Sequence, residues 1–297
     1  MPFFFLVSGV FANPEKFTFH RYIAKNSKRL LIPYVVFFLI GLLVTICVPG
    51  WRDISVYDIM HDFITTPRIV NMNPIWFLTC LFCVTVLFYP LNKLLLAKGN
   101  YLIALLILLG LMIASPMITY YCEKCNIFVP MKLDVAFSAL PFYSLGFIIK
   151  KHILSLDKLN NKIITAAICF IGALSAAYRN GLVAMVNNGY GNDLLIYLYG
   201  ALCGSVWVLL VGYYLRKSMI LRFIGKNSLI IFATHMMCIK FFTLALSKIT
   251  GEAKIAQNNL NFIQIGIGFA LAAMASVFIA YGYQKIIIMI RKRKYHG

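Results

Sequence analysis

The chain of 297 residues is 61% hydrophobic and 12% charged, with a formal net charge of +19. Soluble domains carry about 25% charged residues, so this composition excludes a soluble protein and indicates an integral membrane protein. Such an excess of cations in a soluble chain would suggest a nucleic-acid partner. Here the cations lie between apolar segments, and we expect no nucleic-acid binding.

The first twelve residues are apolar but too few to cross a bilayer. The segment MPFFFLVSGVFA would extend about 18 Å as a helix at 1.5 Å per residue, against a hydrocarbon core of ~30 Å. The loop that follows is rich in cations, so Met1 would lie at or inside the outer face. We therefore expect a partial span and a chain that lacks its N-terminal span.

A cationic collar, defined here as Lys25, Lys28 and Arg29, immediately precedes the first complete span. Moving each such charge through a bilayer core costs roughly 2.5–3.5 kcal/mol on insertion scales, so the collar is predicted to stay cytoplasmic. Two interpretations are open. The collar serves as a topology signal alone, or it binds the phosphates of a cytoplasmic anionic substrate.

Apolar runs of spanning length predict an all-α, polytopic transmembrane helix bundle with eight complete spans besides the partial one. These spans lie at 30–48, 75–96, 101–119, 134–149, 163–178, 193–215, 228–247 and 262–290. Five basic loops hold 20 of the 28 Lys and Arg residues, and the four loops between them hold 7. This alternation predicts a cytoplasmic (inner) membrane protein with a cytoplasmic C-terminus. No repeat or linker divides the chain, so we expect a single domain over 1–297.

The loop 49–74 is predicted to contain a short interfacial helix. Ser55 precedes apolar residues at helical spacing, with Asp58, His61 and Asp62 on the opposite face. These three residues are explained either by a metal site or by a solvated polar face. We predict no metal, because no further ligands are evident elsewhere on the outer side.

Two ionisable residues lie inside the seventh predicted span. His235 is seven residues beyond Ser228, about 10 Å inside the helix. It is either a catalytic or ligand-orienting imidazole, or a neutral side chain that bridges two helices by hydrogen bonds. Lys240 either reaches a water-filled cavity or extends its amine toward the interface.

Trp76 lies at the outer end of the second complete span, directly after Asn73–Ile75. Tryptophan is enriched at membrane interfaces, where its ring is apolar and its indole N–H remains hydrated, so an aromatic anchor is one interpretation. The other is that Trp76 stacks on a sugar that approaches from the outer side.

Five segments, in this order, are similar to the integral membrane acyltransferase family 3, in particular to its fucose 4-O-acetylase-like branch. They are MPFFFLVSGVF at 1–11, KNSKRLLIPY at 25–34, PIWFLTCLF at 74–82, LPFYSLGFIIKK at 140–151 and GKNSLIIFATH at 225–235. Together they extend over nearly the whole chain. The resemblance implies a membrane-bound O-acetyltransferase built as a bundle of transmembrane helices.

The resemblance also implies the partners. Acetyl groups would pass from cytoplasmic acetyl-CoA, the donor substrate, to hydroxyls of a lipid-linked or surface carbohydrate such as O-antigen, capsule, exopolysaccharide or peptidoglycan. No bound cofactor is predicted. In this interpretation Lys25, Lys28 and Arg29 bind the donor, and Trp76 lies on the acceptor side. The lipid bilayer is the remaining partner.

The chain departs from the family pattern at two places. The Arg-x-x-Arg element ahead of the proline falls on Asn26 and Arg29, so its first arginine is absent and Lys25 or Lys28 would substitute. The family's catalytic histidine precedes the region that matches here, so we expect the general base to be missing and this chain to be inactive. His235 matches a histidine that follows the family's GxNSL element and is the candidate catalytic residue.

Two other functions remain open from the sequence. A polysaccharide transporter or flippase would also be polytopic and basic inside, but such proteins are typically built from repeated halves, which this sequence does not show. A non-catalytic membrane partner in glycan assembly is the second alternative. Neither requires acetyl-CoA, so binding of that ligand discriminates between them and an acetyltransferase.

Overall fold

The computed structural model describes residues 1–47, 55–65, 73–150, 153, 161–250, 268, 270–271, 273–282 and 285. In these ranges the protein is all-α, as predicted, and contains no strand. The helices are α1 (Pro2–Val10), α2 (Phe19–Cys47), α3 (Val56–Ile64), α4 (Trp76–Leu94), α5 (Tyr101–Lys124), α6 (Leu133–Ile148), α7 (Lys162–Asn180), α8 (Leu194–Tyr214), α9 (Met219–Lys226) and α10 (Ser228–Thr250).

Six described helices are long and apolar enough to cross a membrane, and they coincide with the first six predicted spans. They are Phe19–Cys47, Trp76–Lys98, Tyr101–Lys124, Pro130–Ile148, Lys162–Asn180 and Leu194–Lys217. The predicted span 228–247 falls on α10, whose apolar stretch Ser228–Thr243 is shorter. The predicted span 262–290 lies mostly outside the described residues, which include the short apolar helix Ala273–Gly282. The count of eight complete spans is therefore not confirmed.

The cationic collar is part of a helix rather than of a loop. α2 begins at Phe19 and runs without interruption to Cys47, so it starts well before the predicted boundary at Leu30. Lysine and arginine are good helix formers, and their charged ends remain hydrated while the backbone hydrogen bonds continue into the apolar segment. The collar thus has the fixed side-chain directions of a helical face.

The chain divides into two compact units, Met1–Tyr34 with Trp76–Arg216, and Val35–Ile75 with Lys217–Gly297. In the first unit α6 is the central helix, since it packs against α1, α4 and α5. Of its apolar stretch 61% is buried, against 17–28% for α2, α5, α7 and α8. The single domain inferred from the sequence stays a prediction.

The crossing of α1 and α6 depends on two glycines. A Cβ atom added at Gly9 would overlap the carbonyl oxygen of Tyr143, and one added at Gly146 would overlap the carbonyl oxygen of Leu6. Each helix therefore places a hydrogen atom where any other residue has a carbon. In membranes, helices associate by close packing through such small residues, because lipid supplies no hydrophobic drive for their contact.

Aromatic rings extend this packing on both sides of α6. The Phe5 ring of α1 lies 4.8 Å from the Phe77 ring of α4, measured between centroids. The Phe88 ring of α4 is 4.9 Å from the Tyr143 ring and 5.2 Å from the Phe147 ring of α6. All three distances fall in the favourable range for aromatic pairs, and the two Phe88 pairs are edge-to-face. These contacts hold the end of α1 and the middle of α6 in fixed positions.

The second unit has its own contacts. The Phe38 ring of α2 packs edge-on against the Phe63 ring of α3 at 5.1 Å. The Phe223 ring of α9 lies 6.4 Å from the Tyr281 ring. α9 is capped by the Ser218 hydroxyl, which accepts a hydrogen bond from a backbone N–H of its first turn at 3.4 Å.

The loop helix α3 forms as predicted, and one residue of its polar face, Asp62, is buried. Ser55 Oγ accepts a hydrogen bond from the Asp58 N–H at 3.1 Å, and Asp58 Oδ2 accepts one from the Ser55 N–H at 3.2 Å, which makes a capping box. Asp62 is 3% exposed, whereas Val56 is 77% and Met60 55% exposed. Asp58 and His61 are half-buried, so burial separates Asp62 from the other two residues of the predicted polar face, and the exposed apolar side fits a helix that lies against lipid.

Cysteine labelling checks the predicted topology. Cys125 is exposed directly after α5, in a loop that we expect to lie outside. Lys98 is exposed just before α5 and is expected to lie inside. In a background without other cysteines, a membrane-impermeant maleimide added to intact cells should label Cys125 and leave a Lys98→Cys variant unlabelled until the cells are lysed. Labelling of the Lys98→Cys variant in intact cells would contradict the assigned orientation.

Candidate functional site

The start of α2 carries a polar stripe that lines a cavity in the first unit. Tyr22, Lys25, Asn26 and Arg29 have the spacing i, i+3, i+4, i+7, which places them on one face of the helix. Other lining residues come from the end of α1 and the turn after it, from α4 and from α6: Ser8, Phe11, Ala12, Asn13, Phe17, Leu81, Thr85 and Tyr143. The cavity thus lies where four segments distant in sequence meet.

The inner wall of this cavity is buried and hydroxylated. The hydroxyl oxygens of Tyr22 and Tyr143 lie 3.3 Å apart, and Asn26 Nδ2 donates to the Tyr22 carbonyl oxygen at 3.0 Å. These three side chains are 4%, 3% and 8% exposed. Lys25 and Arg29 are exposed, so the cations form the rim and the hydroxyl pair the interior.

The volume of the cavity limits what enters it. The volume of the cavity is about 40 Å³, and one water needs ~10–15 Å³ on the same measure. The interior therefore has room for about three waters or for a two-carbon group. A larger anionic ligand would have to remain at the cationic rim and extend only its end inward.

Further contacts fix the rim. Lys25 Nζ lies 4.3 Å from the centroid of the Phe17 ring, in the range of a cation–π interaction. Lys150 Nζ donates to Asn13 Oδ1 at 2.9 Å and to the Ala12 carbonyl oxygen at 3.3 Å. Lys150 thus adds a cation beside the rim and anchors the segment that follows α1.

The structure separates the three residues of the collar. Lys25 and Arg29 line the cavity. Lys28 is exposed and does not belong to the lining, because it lies on a different side of the helix. The predicted donor-binding role of all three residues stays a prediction. Lys28 has the same charge as Arg29 and is its neighbour on the helix, so a Lys28 variant can serve as the control for an Arg29 variant.

His235 and Trp76 are not among the residues that line this cavity. His235 belongs to the second unit and is half-buried, and its Nδ1 lies 2.7 Å from the Phe232 carbonyl oxygen. With the proton on Nδ1, this nitrogen donates and Nε2 is the basic one. Trp76 is 5% exposed and packs edge-on against Phe77 at 6.5 Å. The catalytic role of His235 and the sugar contact of Trp76 stay predictions.

The described residues hold no group of three or more His, Cys, Asp or Glu side chains placed to bind a metal. In α3, Asp58 is engaged in the capping box. The His61 ring nitrogen Nδ1 lies 3.5 Å from Thr65 Oγ1. The side chains considered as possible ligands thus take part in local structure.

A buried polar network lies at the other end of α6 and fixes the loop between α7 and α8. Thr119 Oγ1 donates to Asp134 Oδ2 at 2.8 Å, and Asn188 Nδ2 donates to Thr119 Oγ1 at 2.8 Å. Ser138 Oγ donates to Asn188 Oδ1 at 2.7 Å. Burial raises the pKa of the Tyr190 phenol, whose hydroxyl donates to a carbonyl of α5 at 3.0 Å. The loop is therefore held by side chains from α5 and α6.

We expect Asn180→Ala to lower the free energy of unfolding by about 1–3 kcal/mol, because it leaves the carbonyl oxygen of the buried residue Tyr190 without a partner. Asn180 Nδ2 donates to the Tyr190 carbonyl oxygen at 2.6 Å, and its Oδ1 accepts from the Asp193 N–H at 2.7 Å. Thermal unfolding in detergent measures the effect. Asn192→Ala is the control, since its exposed amide makes a 3.3 Å bond. Equal stability of both variants would contradict the prediction.

The apolar helices define a multi-pass membrane protein. A family model described as an acyltransferase domain matches residues 1–281. The chain therefore belongs to acyltransferase family 3, as its sequence segments predicted. Comparison with curated proteins gave no match, and neither did comparison with solved structures. The fucose 4-O-acetylase-like branch and the missing first span stay predictions.

Sequence reasoning did not single out Tyr22, Tyr143 and Lys150 as parts of the site. Tyr22 could have been found from the sequence. It lies seven residues before Arg29, so a helix that begins at Phe19 places the two side chains on the same face. The other two lie within the family-like segment at 140–151. Nothing in their local pattern indicates that they approach α2 or the turn before it.

Proposed function

We propose that this protein is an O-acetyltransferase that moves an acetyl group from cytoplasmic acetyl-CoA to a hydroxyl of a cell-surface carbohydrate. Membership of the acyltransferase family supports the general activity. The observation that carries the donor assignment is the cavity whose rim holds Lys25 and Arg29 and whose interior ends at the Tyr22–Tyr143 hydroxyl pair. Cations at the rim suit the phosphates of coenzyme A.

Transfer of an acetyl group from a thioester to a hydroxyl requires no oxidant or reductant. The C–S bond of the thioester breaks, and a C–O bond forms between the acetyl carbon and the oxygen of a sugar hydroxyl. The hydroxyl proton passes to a general base and then to the thiolate of coenzyme A. The narrow interior admits a two-carbon group, which supports an acetyl donor rather than a long-chain acyl donor.

The test uses the purified chain in detergent. We expect saturable binding of radiolabelled acetyl-CoA. Transfer of the label to oligosaccharides with free hydroxyls, as an ester that mild base removes, would show that the chain is active and would contradict the inactivity expected from its sequence. A flippase or a non-catalytic partner needs no acetyl-CoA. Absence of saturable binding under conditions in which the protein unfolds cooperatively would exclude the acetyltransferase.

His235 is the candidate catalytic residue of this chain, separate from the general base that the resemblance places ahead of the matched region, and its hydrogen bond from Nδ1 leaves Nε2 available. If it serves in this way, His235→Gln lowers the rate of acetyl transfer by roughly 10²–10⁴-fold and leaves acetyl-CoA affinity unchanged. Unchanged transfer by this variant would remove His235 from the chemistry.

A further inference from the structure

A Cys-x-x-Cys motif closes α5, and the proposed chemistry does not use it. Cys122 lies in the last turn of the helix, and Cys125 is the residue at which the helix ends. Both are free thiols. The charge pattern of the loops predicts this end of α5 on the outer side of the membrane. Outside the cytoplasm, thiol pairs are oxidised and their disulfides persist.

Two backbone hydrogen bonds give the motif a fixed shape. The Ile127 N–H donates to the Cys122 carbonyl oxygen at 2.8 Å. The Asn126 N–H donates to the Glu123 carbonyl oxygen at 3.2 Å, and Asn126 itself has a left-handed φ of 52°. This pattern is a Schellman motif, in which the chain turns back directly after the helix. It holds Cys122 and Cys125 on the same helical turn.

The spacing permits a disulfide between the two sulfurs. Cα atoms three residues apart in an α-helix are separated by about 5 Å, and disulfides join Cα atoms that are roughly 4.4–6.8 Å apart. The two Cβ atoms must approach by about 1–2 Å from their helical separation. Cys125 supplies this movement, because its side chain is exposed and no further helical turn follows it.

The two thiols differ in their access to water. Cys125 is exposed, whereas Cys122 is half-buried. Cys122 follows Ser115 and Thr119 on the face of α5 that packs against the start of α6. There the Ser115 hydroxyl donates to the Asp134 carbonyl oxygen at 2.6 Å, and Thr119 Oγ1 donates to Asp134 Oδ2 at 2.8 Å. A reagent from solution therefore reaches Cys125 first, while Cys122 is partly shielded.

We propose that Cys122 and Cys125 are a redox-active pair that a low-molecular-weight disulfide converts to an intramolecular disulfide. The Cys125 thiolate attacks the small disulfide, so that a mixed S–S bond forms and the first small thiol leaves. The Cys122 thiolate then attacks the Cys125 sulfur and releases the second small thiol. The protein pair loses two electrons and two protons, and the small disulfide is reduced to two thiols.

The disulfide fastens the last turn of α5 beside the first residues of α6. α6 is the central helix of the first unit, and Asp134 at its start is buried. The bond restricts the unfolded chain and prevents this turn from unravelling. It thereby keeps Thr119 within hydrogen-bond reach of Asp134. Oxidation should therefore raise the thermal midpoint of unfolding.

The test is thiol trapping on the full chain purified in detergent. After incubation with glutathione disulfide, mass spectrometry of the peptide that contains Cys122 and Cys125 should show the loss of two hydrogen atoms. Dithiothreitol should restore them. Cys169 and Cys203 are the matched control pair, since they form a side-chain hydrogen bond but lie on the spanning helices α7 and α8. The charged oxidant does not enter an apolar layer, so the control pair should stay reduced.

Single substitutions separate the roles of the two thiols. Cys122→Ser should stop the reaction at the mixed disulfide, so that Cys125 retains one glutathione. Cys125→Ser should leave Cys122 largely unmodified over the same time. A glutathione adduct that accumulates on Cys122 rather than on Cys125 would overturn the assigned order of attack.

Three further results would overturn the proposal. Both cysteines could remain open to alkylation after treatment with excess glutathione disulfide. Cys169 and Cys203 could be oxidised equally, which would show that contact alone decides the reaction. Oxidation could leave the thermal midpoint unchanged, which would remove the stabilising role of the bond. No readout depends on acetyl transfer, so the redox pair and the acetyltransferase fail independently.

Discussion

Replacing Gly146 by leucine is expected to abolish the docking of α1 and to lower the free energy of unfolding by at least about 3 kcal/mol. Any Cβ at this position would overlap the Leu6 carbonyl oxygen, and the reciprocal contact at Gly9 prevents α1 from shifting along α6. Backbone atoms on both sides cannot rotate away as side chains do. The two helices must therefore separate, and the buried Phe5 side chain loses its contacts.

The same substitution should also remove donor binding. The end of α1 supplies Ser8, Ala12 and Asn13 to the cavity lining. Thermal unfolding in detergent and acetyl-CoA binding measure the two consequences separately. Gly110→Leu is the control, because a Cβ at Gly110 of α5 meets nothing within 4 Å, and leucine favours a helix over glycine by up to ~1 kcal/mol. A Gly146→Leu protein as stable as the Gly110→Leu protein would show that the crossing is looser than described.

Arg29→Glu is expected to weaken acetyl-CoA binding at least ~100-fold, since it removes a charged donor worth about 1.5–3 kcal/mol and places an anion at the rim. Arg29 lines the cavity together with Tyr143 and Lys25. Equilibrium binding of radiolabelled acetyl-CoA to the purified chain is the measurement. Because the guanidinium is exposed, no comparable loss of thermal stability is expected.

Lys28→Glu controls for charge alone. It changes the net charge by the same amount on the same helix, but Lys28 does not line the cavity. Its effect on affinity should be only a few-fold and should largely disappear in 0.5 M salt, because charges separated by more than a Debye length are screened. The Arg29→Glu loss should persist at that salt concentration. If both variants lose the same affinity for acetyl-CoA and both losses disappear in 0.5 M salt, the collar attracts anions only through its overall charge.

The sequence predicted the spans well where apolar length alone decides them. Six predicted segments match helices of spanning length, because a backbone in lipid must satisfy its own hydrogen bonds and a long apolar run has no alternative to a helix. The predicted span began at Leu30, whereas α2 begins at Phe19. Hydropathy marks where a helix enters lipid, whereas the helix itself continues through Lys25 and Arg29 into the aqueous layer.

The burial of Asp62 in α3 shows a second limit of prediction from sequence. Helical spacing placed Asp62 and Val56 on opposite faces of an interfacial helix, but it did not show that Asp62 is buried. In the structure Asp62 is 3% and Val56 77% exposed. Periodicity identifies two faces, and the surrounding solvent determines which of them is buried.

The sequence by itself determined the class of protein, its helices and its family, because composition, apolar length and segment order are all local properties of the chain. Only the tertiary structure brought Tyr143 within 3.3 Å of Tyr22, 121 positions earlier, and left Lys28 outside the cavity that Arg29 lines. The physical reason is that a cavity forms between helices. Its shape depends on how closely α1 and α6 approach at two glycines, and no single segment encodes that distance.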